Sequence, residues 1–90
     1  MERTNDHTFY VLECVDGSYY AGYTNDLDKR VSVHNSGKGA KYTRARRPVF
    51  CIYQEVHETK QLAMKAEYAF KQLTKIKKTE YIANGLRGEQ

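Results

Sequence analysis

Asp16-Gly17 separates two short runs of strand character, and that arrangement ties the beginning of the chain into a β-hairpin before any other element is considered. From His7 to Cys14, bulky and polar groups alternate so that Phe9 and Val11 face one way and Tyr10 and Leu12 the other. Ser18 to Tyr23, rich in tyrosine, forms the returning strand. Side chains alternate along a strand, so Tyr10 and Tyr20 share a face only if the numbers of paired residues sum to an even value. A three-residue loop of Asp16, Gly17 and Ser18, with Val15 opposite Tyr19, meets that condition and is the expected register. A two-residue turn would put the phenols on opposite faces unless a bulge intervened.

After the hairpin the period changes. Thr24 or Asn25 caps a helix that begins near Asp26, with Asp26 and Asp28 in the first turn where the helix dipole favours acids. Leu27, Val31 and His34 share a stripe, Arg30 lies on its flank, and Asn35-Ser36-Gly37 ends the helix. A basic loop follows and is closed by Pro48. The apolar run Val49 to Tyr53 suits a central strand covered on both faces and continues to about Val56. A helix over 59–73 places Leu62, Ala66, Ala69, Phe70 and Leu73 on its stripe, with Glu67 at the stripe edge near Ala63 and Phe70. A last helix runs from Thr74 to Ala83 and is stopped by Asn84-Gly85, with fraying expected from Leu86 to Gln90.

These elements imply an α/β chain of the α+β type: a small antiparallel sheet of three strands flanked by helices, in the order β-β-α-β-α-α. Ninety residues hold one domain with one modest core, here spanning about residues 7–84. The polar start, Met1 to Asp6, lacks the apolar stretch of a signal peptide, and no apolar run reaches membrane-spanning length. A cytoplasmic location with no membrane association is expected. Cys14 and Cys51 have no second Cys or His at metal-ligand spacing and read as buried free thiols.

The net charge of +4 is concentrated. Lys29, Arg30, Lys38, Lys41, Arg44, Arg46 and Arg47 give residues 29–47 a charge of +7 with no acid, which leaves −3 for the remainder. A positive segment on an otherwise mildly acidic domain suits a polyanion, because phosphate neutralisation releases counterions. Lys38, Lys41, Arg44, Arg46 and Arg47 are therefore candidate nucleic-acid contacts, and Tyr42 among them offers a ring on which a base or sugar can stack.

Tyr10, Tyr20 and Arg30 follow one another at ten-residue intervals, with His34 one helical turn further on. Two phenols, a guanidinium and an imidazole so spaced can converge on one phosphodiester if the strands pair and the helix packs beside them. Singly, each has an ordinary explanation: strand aromatics for the tyrosines, a solvated helix flank for Arg30 and His34, a solvated or paired carboxylate for Glu67. Their joint spacing is what points to chemistry.

Tyr10, Tyr20-Ala21-Gly22, Arg30, His34 and Glu67, in elements ordered strand, strand, helix, strand, helix, make the chain resemble the GIY-YIG nuclease superfamily over nearly its whole length. The segment from Lys38 to Pro48 is similar to that of small stand-alone bacterial members and of eukaryotic nucleases that act on branched DNA. Thr8-Phe9-Tyr10 stands where the first motif has Gly-Ile-Tyr, and Ala21 replaces Ile in the second; neither change removes a reactive group. The resemblance implies an endonuclease acting on nucleic acid, DNA ahead of RNA, with branches, flaps or single-stranded regions as candidate substrates. It implies Glu67 as ligand of one divalent ion, Mg²⁺ or Mn²⁺, Arg30 as clamp on the scissile phosphate, Tyr10 as general base helped by neighbouring positive charge, and Tyr20 as orienting group, with an exchange of roles between the two tyrosines left open. His34 would supply charge or accept the proton, and Gly22 would be the structural member of the motif. The other expectation is a nucleic-acid-binding module that is weakly active or inactive alone, or that needs a protein partner.

Overall fold

Residues 6–86 are described by the computed structural model. The elements are β1 (His7–Glu13), β2 (Tyr19–Thr24), α1 (Leu27–Asn35), α2 (Lys41–Arg44), β3 (Phe50–His57), α3 (Lys60–Lys71) and α4 (Lys75–Leu86). Five consecutive residues of β1, Thr8 to Leu12, are buried, so this strand needs cover on both faces and takes the centre of an antiparallel sheet ordered β2-β1-β3. That corrects the expected central place of the Val49 to Tyr53 run. β3 is an edge strand with Phe50, Gln54 and Val56 exposed, and its central-looking apolar run results from a bulge. Val11 pairs with Tyr53 and Leu12 with Cys51, which leaves Ile52 as the extra residue and lets Ile52 and Tyr53 both pack on one core.

The hairpin keeps the expected parity in a different register. Glu13 pairs with Tyr19, two residues short of the Val15 pairing, and Cys14 to Ser18 form a five-residue loop. Cys14 N–H donates to Ser18 O at 2.8 Å and Gly17 N–H to Cys14 O at 2.9 Å, while Gly17 adopts the φ of 84° that favours glycine. Asp16 Oδ1 accepts from both the amide and the hydroxyl of Ser18. Because the shift is two residues, Tyr10 lies opposite Gly22 and Leu12 opposite Tyr20, and both phenols remain on one face.

Two layers cover the sheet. Tyr10, Leu12, Cys14 and Val49 form a core with Leu27 and Val31 of α1, while Phe9, Val11 and Ala21 pack with Phe70 and Ala66 of α3 and Ile82 of α4. The cap of α1 is Asp26, whose carboxylate accepts from Lys29 N–H; Thr24, expected as a cap, instead accepts from Asp26 N–H at 3.0 Å. The basic segment contains the single helical turn α2 where a loop was expected. On α3 the inward stripe is Ala63, Ala66 and Phe70, continued by Leu73 just beyond the helix, with Leu62 and Ala69 turned outward, so the helix is rotated and Glu67 faces partly inward.

α4 runs through Asn84-Gly85 to Leu86 and is not stopped there. A Cβ on Gly85 would lie 2.4 Å from Tyr53 Cε1, so this glycine serves close packing of helix on strand. Glu55 accepts from Tyr53 Oη at 2.5 Å, from Tyr81 Oη and from His57 Nε2, tying α4 to β3. Residues 87–90 of the tail expected to fray lie outside the described residues. Cys14 and Cys51 are free, the first buried and the second partly so, and burial pushes both thiols up. Among the described residues, no helix is long and apolar enough to cross a membrane.

Candidate active site

The hairpin carries Tyr10 and Tyr20 to the α1 side of the sheet, and α1 brings His34 down onto them. His34 is 2 % exposed, with Nε2 at 3.0 Å from Tyr10 Oη and Nδ1 at 2.9 Å from Thr43 Oγ1. Its ring centroid is 5.2 Å from that of Tyr20 in an edge arrangement. Two glycines admit this packing by lacking a side chain. A Cβ on Gly22 would stand 2.5 Å from Tyr10 Oη, and one on Gly39 would stand 2.4 Å from His34 Nδ1. Neither position has a positive φ, so both are demands for space.

Gly22→Ala should therefore displace the Tyr10 phenol from His34. The expected result is the loss of about 1–3 kcal/mol of stability that overpacking causes, read by thermal melting. A melting temperature equal to that of the parent would contradict this placement.

Arg30 stands exposed on α1, and its guanidinium makes no hydrogen bond or ion pair among the described residues. Its charge acts on both Tyr10 and His34. Glu67 belongs to the layer on the other face of the sheet, so its approach to this group has to come around the open edge of β2. About 100° per residue puts Glu67 on the Lys71 side of α3, and Lys71 Nζ pairs with Glu67 Oε2 at 2.7 Å. Lys71 and Phe70 line a cleft of about 220 Å³ with Tyr19, Tyr20 and Tyr42, where the two layers meet at that edge. The Glu67 charge also reaches the Tyr10 phenol.

Burial, then the neighbouring Tyr20, push the Tyr10 phenol well above its ordinary value of 10; Arg30 opposes this and Glu67 adds to it. The sequence-based requirement that positive charge favour a phenolate is thus not met by the protein groups, because desolvation outweighs Arg30. Burial and Arg30 lower the pKa of His34 from its ordinary 6.5, so the imidazole is neutral at neutral pH and able to accept a proton.

The basic residues divide into two kinds. Lys38, Lys41 and Arg44 are exposed and make no side-chain hydrogen bond or ion pair among the described residues. Arg46 donates from Nε to Asp16 and from Nη1 to Tyr42 O, with its Cζ 3.9 Å above the Tyr42 ring. Arg47 donates to Arg44 O and Asn35 O. One face of Tyr42 is thereby taken by a guanidinium, and its ring stacks 6.3 Å from Tyr20. Both arginines brace α2 while keeping Nη2 free of these bonds.

Among the described residues, no group of three or more His, Cys, Asp or Glu could hold a metal. The donor set offers one carboxylate, Glu67, 16 % exposed and paired with Lys71. This suits a hard cation that keeps most of its water, as Mg²⁺ does, and not a cage of protein ligands. Sequence reasoning gave no role to Thr43 or Gly39; a threonine among five cations carries no signal until α2 is folded against His34.

The match to known proteins covers the same residues. The family model described as the GIY-YIG catalytic domain, the domain of a nuclease family, matches residues 6–80. A UPF0213 protein of Bacillus cereus is 63% identical over 87 residues, covering 97% of this chain and 90% of that protein. The UPF0213 protein YazA of Bacillus subtilis is 63% identical over 80 residues, with 89% and 81% covered. The solution structure of an Enterococcus protein, from E. faecalis, superposes with a TM-score of 0.62 at 49% identity over 96% of this chain and 93% of that one. That of a UPF0213 protein from Bacillus halodurans does so with a TM-score of 0.58 at 46% identity over 87% and 83%. With its two tyrosines on one hairpin face and a matching domain model over most of its length, the chain belongs to the GIY-YIG catalytic domain family.

Proposed function

We propose that this protein is a metal-dependent endonuclease that hydrolyses phosphodiester bonds in DNA at branches, flaps or single-stranded segments. The hydrogen bond between Tyr10 and the buried His34, with the charge of Arg30 acting on both, is the observation that carries this reading. Hydrolysis needs a deprotonated water in line with the leaving oxygen and neutralisation of charge on the phosphate.

Arg30 takes the scissile phosphate, its planar fork matching two oxygens. Tyr10 accepts the proton of the attacking water as it passes its own proton to His34, so no free phenolate has to form in a buried site. Tyr20 orients the water or the phosphate. Glu67 would hold one Mg²⁺ or Mn²⁺, which when bound supplies charge neutralisation at the non-bridging oxygens. Lys38, Lys41 and Arg44, with the remaining donors of Arg46 and Arg47, hold the flanking backbone, and Tyr42, its ring already engaged by Arg46 and Tyr20, lines the cleft.

The Glu67–Lys71 ion pair favours a second reading, since a carboxylate already neutralised competes poorly for a cation. In that reading the protein binds nucleic acid and needs a partner or substrate to become active. A nicking assay over duplex, flap, junction and single-stranded DNA, with RNA counterparts, in Mg²⁺, Mn²⁺ or chelator separates the two. Metal-dependent cleavage that disappears in Glu67→Ala while binding persists supports the endonuclease. Salt-sensitive binding without cleavage under either metal would overturn it in favour of the binding module.

A further inference from the structure

We propose that Thr43 is a positioning residue that sets the tautomer of His34 and so aims a lone pair of Nε2 at the Tyr10 hydroxyl. The inference rests on the endonuclease reading for its consequence in turnover, but its geometric core does not. Thr43 is fully buried at 0 % exposure, on a one-turn helix whose other three residues are exposed. Its Oγ1 lies 2.9 Å from His34 Nδ1 and 3.0 Å from Ala40 O.

A hydroxyl has one hydrogen to donate, and a carbonyl oxygen can only accept. When the Thr43 hydroxyl donates to Ala40 O, its own lone pair faces the imidazole, and Nδ1 has to carry the hydrogen. Nε2 is then the acceptor, and Tyr10 Oη, 3.0 Å away, donates to it. Every hydrogen along Tyr10, His34, Thr43 and Ala40 has a partner in this arrangement. In the opposite tautomer, the Thr43 hydroxyl gives up Ala40 O to donate to Nδ1, and Nε2–H takes the lone pair of Tyr10 Oη that would accept a proton from the attacking water. The bond from Thr43 to Ala40 O therefore selects the first arrangement.

The backbone is shaped to permit it. Gly39 lets the chain approach so closely that a Cβ there would fall 2.9 Å from His34 Cα as well as 2.4 Å from Nδ1. Gly37, at φ 87°, turns the chain from the end of α1 toward this approach. Arg47 fastens the return by donating to Asn35 O. The segment that reads in sequence as a basic patch thus also supplies the backing of the imidazole.

The tautomer is measured directly by long-range ¹H–¹⁵N correlation of the imidazole in ¹⁵N-labelled protein without substrate. The expected wild-type pattern for His34 is protonated Nδ1 and unprotonated Nε2. Thr43→Val keeps the shape but removes both hydrogen-bonding functions, and should shift the pattern toward Nε2–H. It should also lower kcat by about 10- to 100-fold with little change in KM, as is typical when the orienting partner of a histidine is lost. Thr43→Ser should restore both. Protonated Nε2 in the wild type, or an unchanged Nδ1–H pattern in folded Thr43→Val, would overturn the assignment. Should Thr43→Val fail to fold, the spectra of the wild type and Thr43→Ser decide alone. Absence of cleavage by the wild type would sink the endonuclease reading and leave the tautomer result standing.

Discussion

Replacing Tyr10 with phenylalanine is expected to lower cleavage by about 10²- to 10⁴-fold, the contribution that a positioned proton-transfer group ordinarily makes. The ring would keep its place, because it is buried against Leu12 and the α1 layer and only the hydroxyl is lost. His34 Nε2 would lose its partner, at a cost of about 1–3 kcal/mol for a buried polar atom left unpaired. Circular dichroism should thus be unchanged while the melting temperature falls modestly. The pH dependence carries the sign of the His34 shift. Since its folded pKa lies below 6.5, it stays neutral through that value, and the acid limb of wild-type kcat should lie below pH 6.5. The contribution of neutral His34 to stability is complete above 6.5 and is lost as pH falls toward the folded value, because the unfolded chain takes up the proton first. Parent-like rates in Tyr10→Phe, measured by single-turnover cleavage, would remove Tyr10 from the proton path.

Arg30→Lys should cost about 10²- to 10³-fold in kcat/KM with no change in melting temperature. The side chain is exposed and makes no hydrogen bond or ion pair among the described residues, so the fold does not depend on it. The charge survives the substitution and what is lost is the fork: an ammonium cannot present two parallel donors to two phosphate oxygens. Lysine would also leave the field at Tyr10 and His34 nearly intact, so the pH profile should keep its shape. A lysine variant within about twofold of the parent would show that only point charge matters, on the same reasoning about bidentate donors.

Much of the fold was legible locally. Alternation over β1 separated Phe9 and Val11 from Tyr10 and Leu12, and these are the residues of the two cores. The parity of the hairpin was legible while its register was not. Five loop residues and three satisfy the same even-sum rule, and the choice between them falls to Ser18, whose carbonyl accepts from Cys14 N–H and whose amide and hydroxyl bind Asp16. The Val49 to Tyr53 run misled because a bulge puts Ile52 and Tyr53 on one core while the strand stays at the sheet edge. Asn84-Gly85 reads as a helix stop, yet the helix continues, because Tyr53 occupies the space a side chain would need and packing outweighs glycine's modest intrinsic cost.

Local chemistry alone therefore determined the element order, the shared face of the two tyrosines, the flank position of Arg30 and the concentration of positive charge, since period, turn residues and caps act over a few neighbours. Tertiary packing decided that α3 brings the Glu67 flank to the β2 edge, that Thr43 lies behind His34, and that Arg46 and Arg47 brace α2. Burial of the phenol and imidazole set the direction of their pKa shifts, since desolvation depends on atoms far along the chain that no spacing rule can place.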